Sequence, residues 1–224
     1  FFVNFFYPKK KDVKVMGGLK DYLRDWIMRK GAMSVSEYME ACLTHPKFGY
    51  YIKRDPFGKR GDFVTAPEIS QMFGELLGVW MVVQWEAMGK PNHLIVVELG
   101  PGRGTLMSDM LRVASSHSAL INAIDLHLVE ISPYLREIQK TKLANFKPSW
   151  CSHLIEVPQG PSLVIANEFF DCLPIRQFKK VENNWYEKMI DLRKGKKFLF
   201  KFEFAPSFDE EVGYPLFSSG GEGD

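Results

Sequence analysis

Three groups of residues have types and spacings that chemistry could use. The first is Glu98-Leu99-Gly100-Pro101-Gly102-Arg103-Gly104, an acid and three alternating glycines set directly after the apolar run Leu94-Ile95-Val96-Val97. Glycine adopts backbone conformations closed to other residues and lets a ligand come close, so such a turn between strand and helix fits a nucleotide-like cofactor. A plain strand-to-helix turn is the alternative. The second is Glu130, which closes the strand-like run Ile124-Asp125-Leu126-His127-Leu128-Val129. In a strand-helix-strand unit that end lies beside the glycine turn, where a carboxylate can accept hydrogen bonds from two ribose hydroxyls; a solvated strand-end glutamate is the alternative. The third is Glu168-Phe169-Phe170-Asp171-Cys172-Leu173-Pro174, two carboxylates among aromatics. Glu168 and Asp171 suit the holding and orienting of a polar, cationic acceptor, against the alternative of a helix-cap or turn role.

These groups need elements to bring them together. Thr105 to Val113 predicts a helix with Leu106, Met110 and Val113 on one side, and Ser132-Pro133 opens another, serine as cap and proline in the first turn. Ser162 to Asn167 reads as a further buried strand. Alternation of strand and helix from Leu94 to about Leu143 implies a Rossmann-like α/β fold with a parallel sheet. Ligands then sit outside the carboxyl ends of the strands, which places all three groups at one crevice.

Around this core the pattern changes. Leu19, Tyr22, Leu23, Trp26 and Ile27 predict one amphipathic helix, and Val35, Tyr38, Met39, Cys42 and Leu43 a second, together a leading helical cap. The stretch from Phe48 to Phe63 reads as an irregular loop, and the segment from Gly61 to Ser70 is expected to lie over the crevice. Thr65-Ala66-Pro67-Glu68 has the form of a capping box, opening a helix that buries Ile69, Phe73, Leu76, Leu77, Trp80 and Trp85. Pro148 and Pro158 mark a linker. Ile175 to Val181, Trp185 to Leu192 and Lys196 to Phe204, the last alternating Phe198, Phe200, Phe202 and Phe204, predict an antiparallel β meander. The organisation expected is a leader over 1–16, a helical cap and loop over 17–90, a core over 91–174, the meander over 175–204 and an irregular tail over 205–224.

Composition narrows the classes. With 46% hydrophobic residues among 224, the chain can bury one substantial core. A formal net charge of +2 gives no basis for nucleic-acid binding, and Lys9 to Lys11 and Arg193 to Lys197 read as solvated turns. Cys42, Cys151 and Cys172 are too far apart and too few for a disulfide framework, and Cys151-x-His153 is too sparse for zinc, so no metal is expected. The longest apolar helix candidate, Ile69 to Met88, carries Glu75, Gln84 and Glu86, so no transmembrane segment is expected. The aromatic stretch Phe1 to Tyr7 before lysines fits either the remnant of a targeting segment or a frayed leader.

Glycine spacing separates two cofactor classes. A dinucleotide fingerprint places its last glycine where Thr105 stands, whereas Glu98, Gly100, Gly102 and Gly104 follow the pattern that resembles S-adenosylmethionine methyltransferases. Three stretches together carry a closer resemblance: Gly61-Asp62-Phe63-Val64-Thr65-Ala66-Pro67-Glu68-Ile69-Ser70-Gln71-Met72-Phe73-Gly74-Glu75, then Val97 to Leu106, then Ala166-Asn167-Glu168-Phe169-Phe170-Asp171-Cys172-Leu173-Pro174. The chain resembles the MidA-type S-adenosylmethionine-dependent methyltransferases, whose mitochondrial members are complex I assembly factors. The resemblance implies S-adenosylmethionine as cofactor, held by Glu98, Gly100, Gly102, Gly104 and Glu130, with Glu168 and Asp171 as catalytic carboxylates. It implies symmetric dimethylation of an arginine on a protein substrate, a complex I subunit, in the mitochondrial matrix, or a cytoplasmic setting for a bacterial source. It also implies a sheet incomplete at its carboxy-terminal end, since the family continues beyond Phe204. A non-catalytic assembly or binding factor retaining the fold is the alternative.

Overall fold

The computed structural model describes residues 17–53, 65–194 and 197–205. The expected leader, residues 54–64 of the loop, and the tail beyond Ala205 lie outside the described residues. The chain divides into two compact units, Cys42–Leu173 and a second made of Phe1–Ala41 with Pro174–Asp224. In chain order the first elements are α1 (Leu19–Lys30), β1 (Met33–Ser34) and α2 (Val35–Thr44). α1 buries Leu23 and Ile27 and stops at Gly31, whose φ of 93° favours glycine. α2 opens with reciprocal bonds: the Glu37 carboxylate accepts from the Ser34 N–H at 2.8 Å and the Ser34 hydroxyl accepts from the Glu37 N–H at 3.1 Å.

The larger unit contains α3 (Tyr50–Lys53), α4 (Ala66–Ile69), α5 (Gln71–Ala87), β2 (Leu94–Leu99), α6 (Thr105–Ala114), α7 (Ser118–Ala123), β3 (Ile124–Val129), α8 (Pro133–Lys142), β4 (Ser149–Cys151) and β5 (Ser162–Ala166). Its four strands are all parallel, in the order β4-β3-β2-β5. Every residue of β2 is buried, as its central place requires. Leu94 and Val96 face a core shared with α5 and α6, through Met81, Trp85, Met107, Met110 and Leu111. Ile95, Val97 and Leu99 pack with Val129 and Cys151 in a separate cluster. Among the described residues β5 pairs with β2 and with no other strand. β4 was not anticipated; Ser149–Cys151 falls in the stretch expected to be a linker, and three residues at a sheet edge are too few to show a period.

The segment before β2 departs most from expectation. Thr65 makes no side-chain cap, and the helix breaks at Ser70, which is extended at φ −142° and ψ 120°. α5 buries Gly74, Gly78, Met81, Val82 and Trp85, while Ile69, Leu76 and Trp80 are 72%, 64% and 40% exposed and Phe73 and Leu77 half-buried. The cause is close contact with α6. A Cβ at Gly74 would lie 2.5 Å from Asp109 Cβ, and one at Gly78 2.8 Å from the Met110 carbonyl. The two glycines let the helix axes approach, so this side turns inward although its neighbours are more apolar.

In the other unit, β6 (Phe178–Val181), β7 (Asn184–Arg193) and β8 (Lys197–Phe204) form the expected antiparallel meander. β1 joins it, with Met33 opposite Ile190. α1 falls in the unit that holds the meander and α5 in the unit that holds the parallel sheet.

Candidate functional site

β2 delivers Glu98 and the glycine turn to the carboxyl edge of the parallel sheet. Gly100, Gly102 and Gly104 have φ of 61°, 54° and 74°, all in the left-handed region that side chains disfavour. The turn is tied to its neighbours: the Gly100 N–H donates to the Val129 carbonyl at 3.0 Å and the Gly104 N–H to the Pro101 carbonyl at 2.7 Å. Gly100 is also required sterically, because a Cβ there would lie 2.5 Å from the Phe169 ring. The packing of Phe169 on Gly100 therefore joins the glycine turn to the loop carrying Glu168 and Asp171.

β3 delivers Glu130 next to this turn. Its carboxylate accepts from the Ser132 N–H at 2.8 Å and from Gln139 Nε2 at 3.3 Å. The same Gln139 amide donates to the Gly102 carbonyl at 2.7 Å, and its oxygen accepts from the Trp150 indole at 2.8 Å. Gln139 is fully buried and links the ribose-type acid to the glycine turn. Arg136 clamps the Glu130 backbone carbonyl through Nε at 2.7 Å and through Nη2, and reaches the Cys151 carbonyl at 3.1 Å. Ser132 caps α8 by accepting from the Leu135 N–H, with Pro133 in the first turn, as expected.

An open cleft of about 440 Å³ runs along the turn, lined by Pro67, Glu68, Glu98, Gly100, Arg103 and Glu168 among others. Glu98 is 3% exposed, and its Oε2 has no hydrogen-bond partner. Burial, with the negative charge of Glu130 added, pushes its carboxyl up to about 8. Burial also raises Glu130, opposed by the hydrogen bonds from Ser132, Gln139 and the Ile131 N–H and by the charge of Arg136. Two buried carboxylates at one turn are costly unless a cation or donor meets them. The donor set therefore suits a ligand with an ammonium or other cationic group and a hydroxyl-bearing ring.

The acceptor side is more open. Glu168 lines the cleft, is exposed, and holds a φ of 50°, rare for a residue with a side chain and frequent at ligand sites. Asp171 sits in a single 3-10 turn, Phe170–Cys172, exposed and outside the residues that line the cleft. Its charge acts on Tyr51 of α3, whose hydroxyl is pushed up to about 12 by burial first, then by Cys172, Asp171 and Tyr50. Glu98, Gly100, Gly102 and Glu168 are thus brought together at the cleft wall, and Glu130 joins them through Gln139. Gly104 forms the N-cap of α6 just behind.

Sequence reasoning missed several residues here. Glu68, read as a helix cap, instead accepts from the Thr105 hydroxyl at 2.6 Å and lies 3.5 Å from Arg103 Nη1. Asn167, read as a strand end and as part of the third resemblance stretch but given no role of its own, lines the cleft. Gln139 gave no signal beyond its place on a helix. The loop expected over the crevice is described only from Thr65 onward, and there Thr65, Pro67 and Glu68 line the cleft.

A family model described as "Putative S-adenosyl-L-methionine-dependent methyltransferase" matches residues 76–216, more than half of the chain. The chain belongs to this family. A Xenopus tropicalis protein named protein arginine methyltransferase NDUFAF7, mitochondrial, is 41% identical over 223 residues, covering 89% of this chain and 52% of that protein. Its Danio rerio counterpart is 44% identical over 76% of this chain and 46% of its own length. Among solved structures, a COG1565 superfamily member from Burkholderia thailandensis bound to S-adenosyl-homocysteine superposes with a TM-score of 0.70 at 29% identity, covering 84% of this chain and 50% of that one. The chain therefore spans about half the length of the relatives it matches.

Proposed function

We propose that this chain supplies the cofactor-binding half of a protein-arginine methyltransferase that uses S-adenosyl-L-methionine. The observation that carries the reading is Glu98, a buried carboxylate with an unpartnered oxygen at the wall of a glycine-lined cleft. Glu98 would meet the cofactor's ammonium, Gly100 and Gly102 would lie against its backbone-like chain, and Glu130 would take the ribose hydroxyls. When bound, the cofactor supplies a methyl group on a cationic sulfur. Glu168 and Asp171 orient the acceptor; alignment of this kind is worth about 7–11 kcal/mol of a displacement barrier. An arginine acceptor stays protonated at neutral pH, so a carboxylate must localise one nitrogen and accept the proton it sheds. The names of the relatives support arginine as acceptor and the mitochondrion as the compartment. The family resemblance supports a complex I subunit as the protein substrate, with symmetric dimethylation in the matrix.

The test is calorimetry with S-adenosylhomocysteine, with Gly102→Val as control, followed by mass spectrometry of candidate subunits with and without the full-length gene. Equal heat from both proteins would remove the assigned pocket. Unchanged arginine masses would remove the enzyme. A second reading, a non-catalytic assembly factor that keeps the cofactor seat, is favoured by the exposure of Glu168 and Asp171. Rescue of complex I assembly by a Glu130 variant unable to bind cofactor would decide for it.

A further inference from the structure

The first turn of α6 has the makings of an anion site that the protein has filled for itself. α6 is ten residues long, so its amino end carries the partial positive charge that holds phosphates in dinucleotide-binding folds. Two cations stand beside it: Arg103, whose side chain is 32% exposed, and Lys142 at the end of α8, whose Nζ donates to the Thr105 hydroxyl at 2.7 Å. Into this place α4 inserts Glu68, 17% exposed, which accepts from the Thr105 hydroxyl at 2.6 Å and pairs with Arg103 at 3.5 Å. The order of donors is fixed: Lys142 donates to Thr105, and Thr105 passes its own proton toward Glu68. The carboxylate thus sits at the first turn of α6, between the Thr105 hydroxyl and Arg103, on the wall of the same cleft that Glu98 and Glu168 line.

Taking the cleft as the S-adenosylmethionine seat, we propose that Glu68 is a specificity-determining residue, an internal stand-in for phosphate that bars nucleotides with charged diphosphates and leaves the cleft to a phosphate-free, cationic cofactor. Like charges a few ångströms apart repel strongly in a partly buried cleft, while the cofactor's ammonium is met at Glu98 and does not depend on this acid. Glu68 also explains why a glycine turn so close to a dinucleotide fingerprint has no phosphate cradle.

The experiment is calorimetry of the whole chain with two probes that share adenosine, S-adenosylhomocysteine and ADP. The unaltered protein should bind the first at least 100-fold more tightly. Glu68→Gln keeps an acceptor for Thr105 and removes the charge. It should raise ADP affinity at least tenfold while changing S-adenosylhomocysteine affinity less than fivefold. Thr105→Val, which keeps the charge and loses its anchor, should raise ADP affinity by a smaller factor and serves if Glu68→Gln does not fold. A gain of affinity for a new ligand is not what loss of structure produces. Unchanged ADP binding in the folded variants, or equal loss of both probes, would overturn the proposal. Failure of the unaltered protein to bind S-adenosylhomocysteine would instead sink the cofactor reading, and the ADP comparison would still report on Glu68 alone.

Discussion

The two sides of the cleft are built to different standards. On the cofactor side Glu98, Gly102, Glu130 and Gln139 are buried, and ties run from Glu130 to Ser132 and Gln139, from Gln139 to Gly102 and Trp150, and from Gly100 to Val129. On the acceptor side Glu168 and Asp171 stand exposed on a short turn. The difference teaches that, under the proposed function, the preformed part of the site is the part that would meet the small cofactor, while the part that would face the protein substrate is left accessible.

The contrast can be broken most severely at Gly100. Gly100→Val places a side chain into the Phe169 ring at a φ of 61°, and S-adenosylhomocysteine affinity by calorimetry should fall more than about 100-fold. Next is Glu130→Ala. Loss of a charged acceptor is worth about 1.5–3 kcal/mol, so affinity should fall about 10- to 100-fold; a change under threefold would mean that Glu130 only braces Ser132 and Gln139.

The third effect is a pH dependence. Glu98 has a folded-state pKa raised from 4.5 to about 8, so across that interval the native ligand-free protein keeps a proton that the unfolded chain has released. Its stability then falls as pH rises, with a limiting slope of about 1.4 kcal/mol per unit. Thermal melts between pH 5.5 and 8 should show the fall, and Glu98→Gln should flatten it. Because the ligand's ammonium favours ionised Glu98, affinity should strengthen over the same range. The smallest effect belongs to the other side: Asp171→Asn should leave cofactor affinity within about twofold, and a larger loss would show that the two sides are not separate.

Much of this arrangement is legible in the sequence because it depends on local devices. The all-buried run Leu94–Leu99, the Ser132-Pro133 helix start and the left-handed glycines each carry their signal within a few residues. α5 misleads for a physical reason. It is apolar nearly all round, so periodicity cannot choose its inner face, and the choice falls to Gly74 and Gly78, whose value lies in what α6 places against them. Glu68 misleads differently. Its spacing from Thr65 matches a capping box, but a tertiary partner, the Thr105 hydroxyl, outcompetes the local backbone. Gln139 is silent in the sequence because its role exists only between three separate elements.

The ring of Phe169 lying on Gly100 has a consequence for descent as well as for binding. Positions 100 and 169 are not independent letters of the sequence. A lineage can enlarge residue 100 only if residue 169 has already shrunk, and even then the backbone admits little beyond glycine, asparagine or aspartate. The geometry thus couples residue 100 of the glycine turn to residue 169 of the loop that carries Glu168 and Asp171.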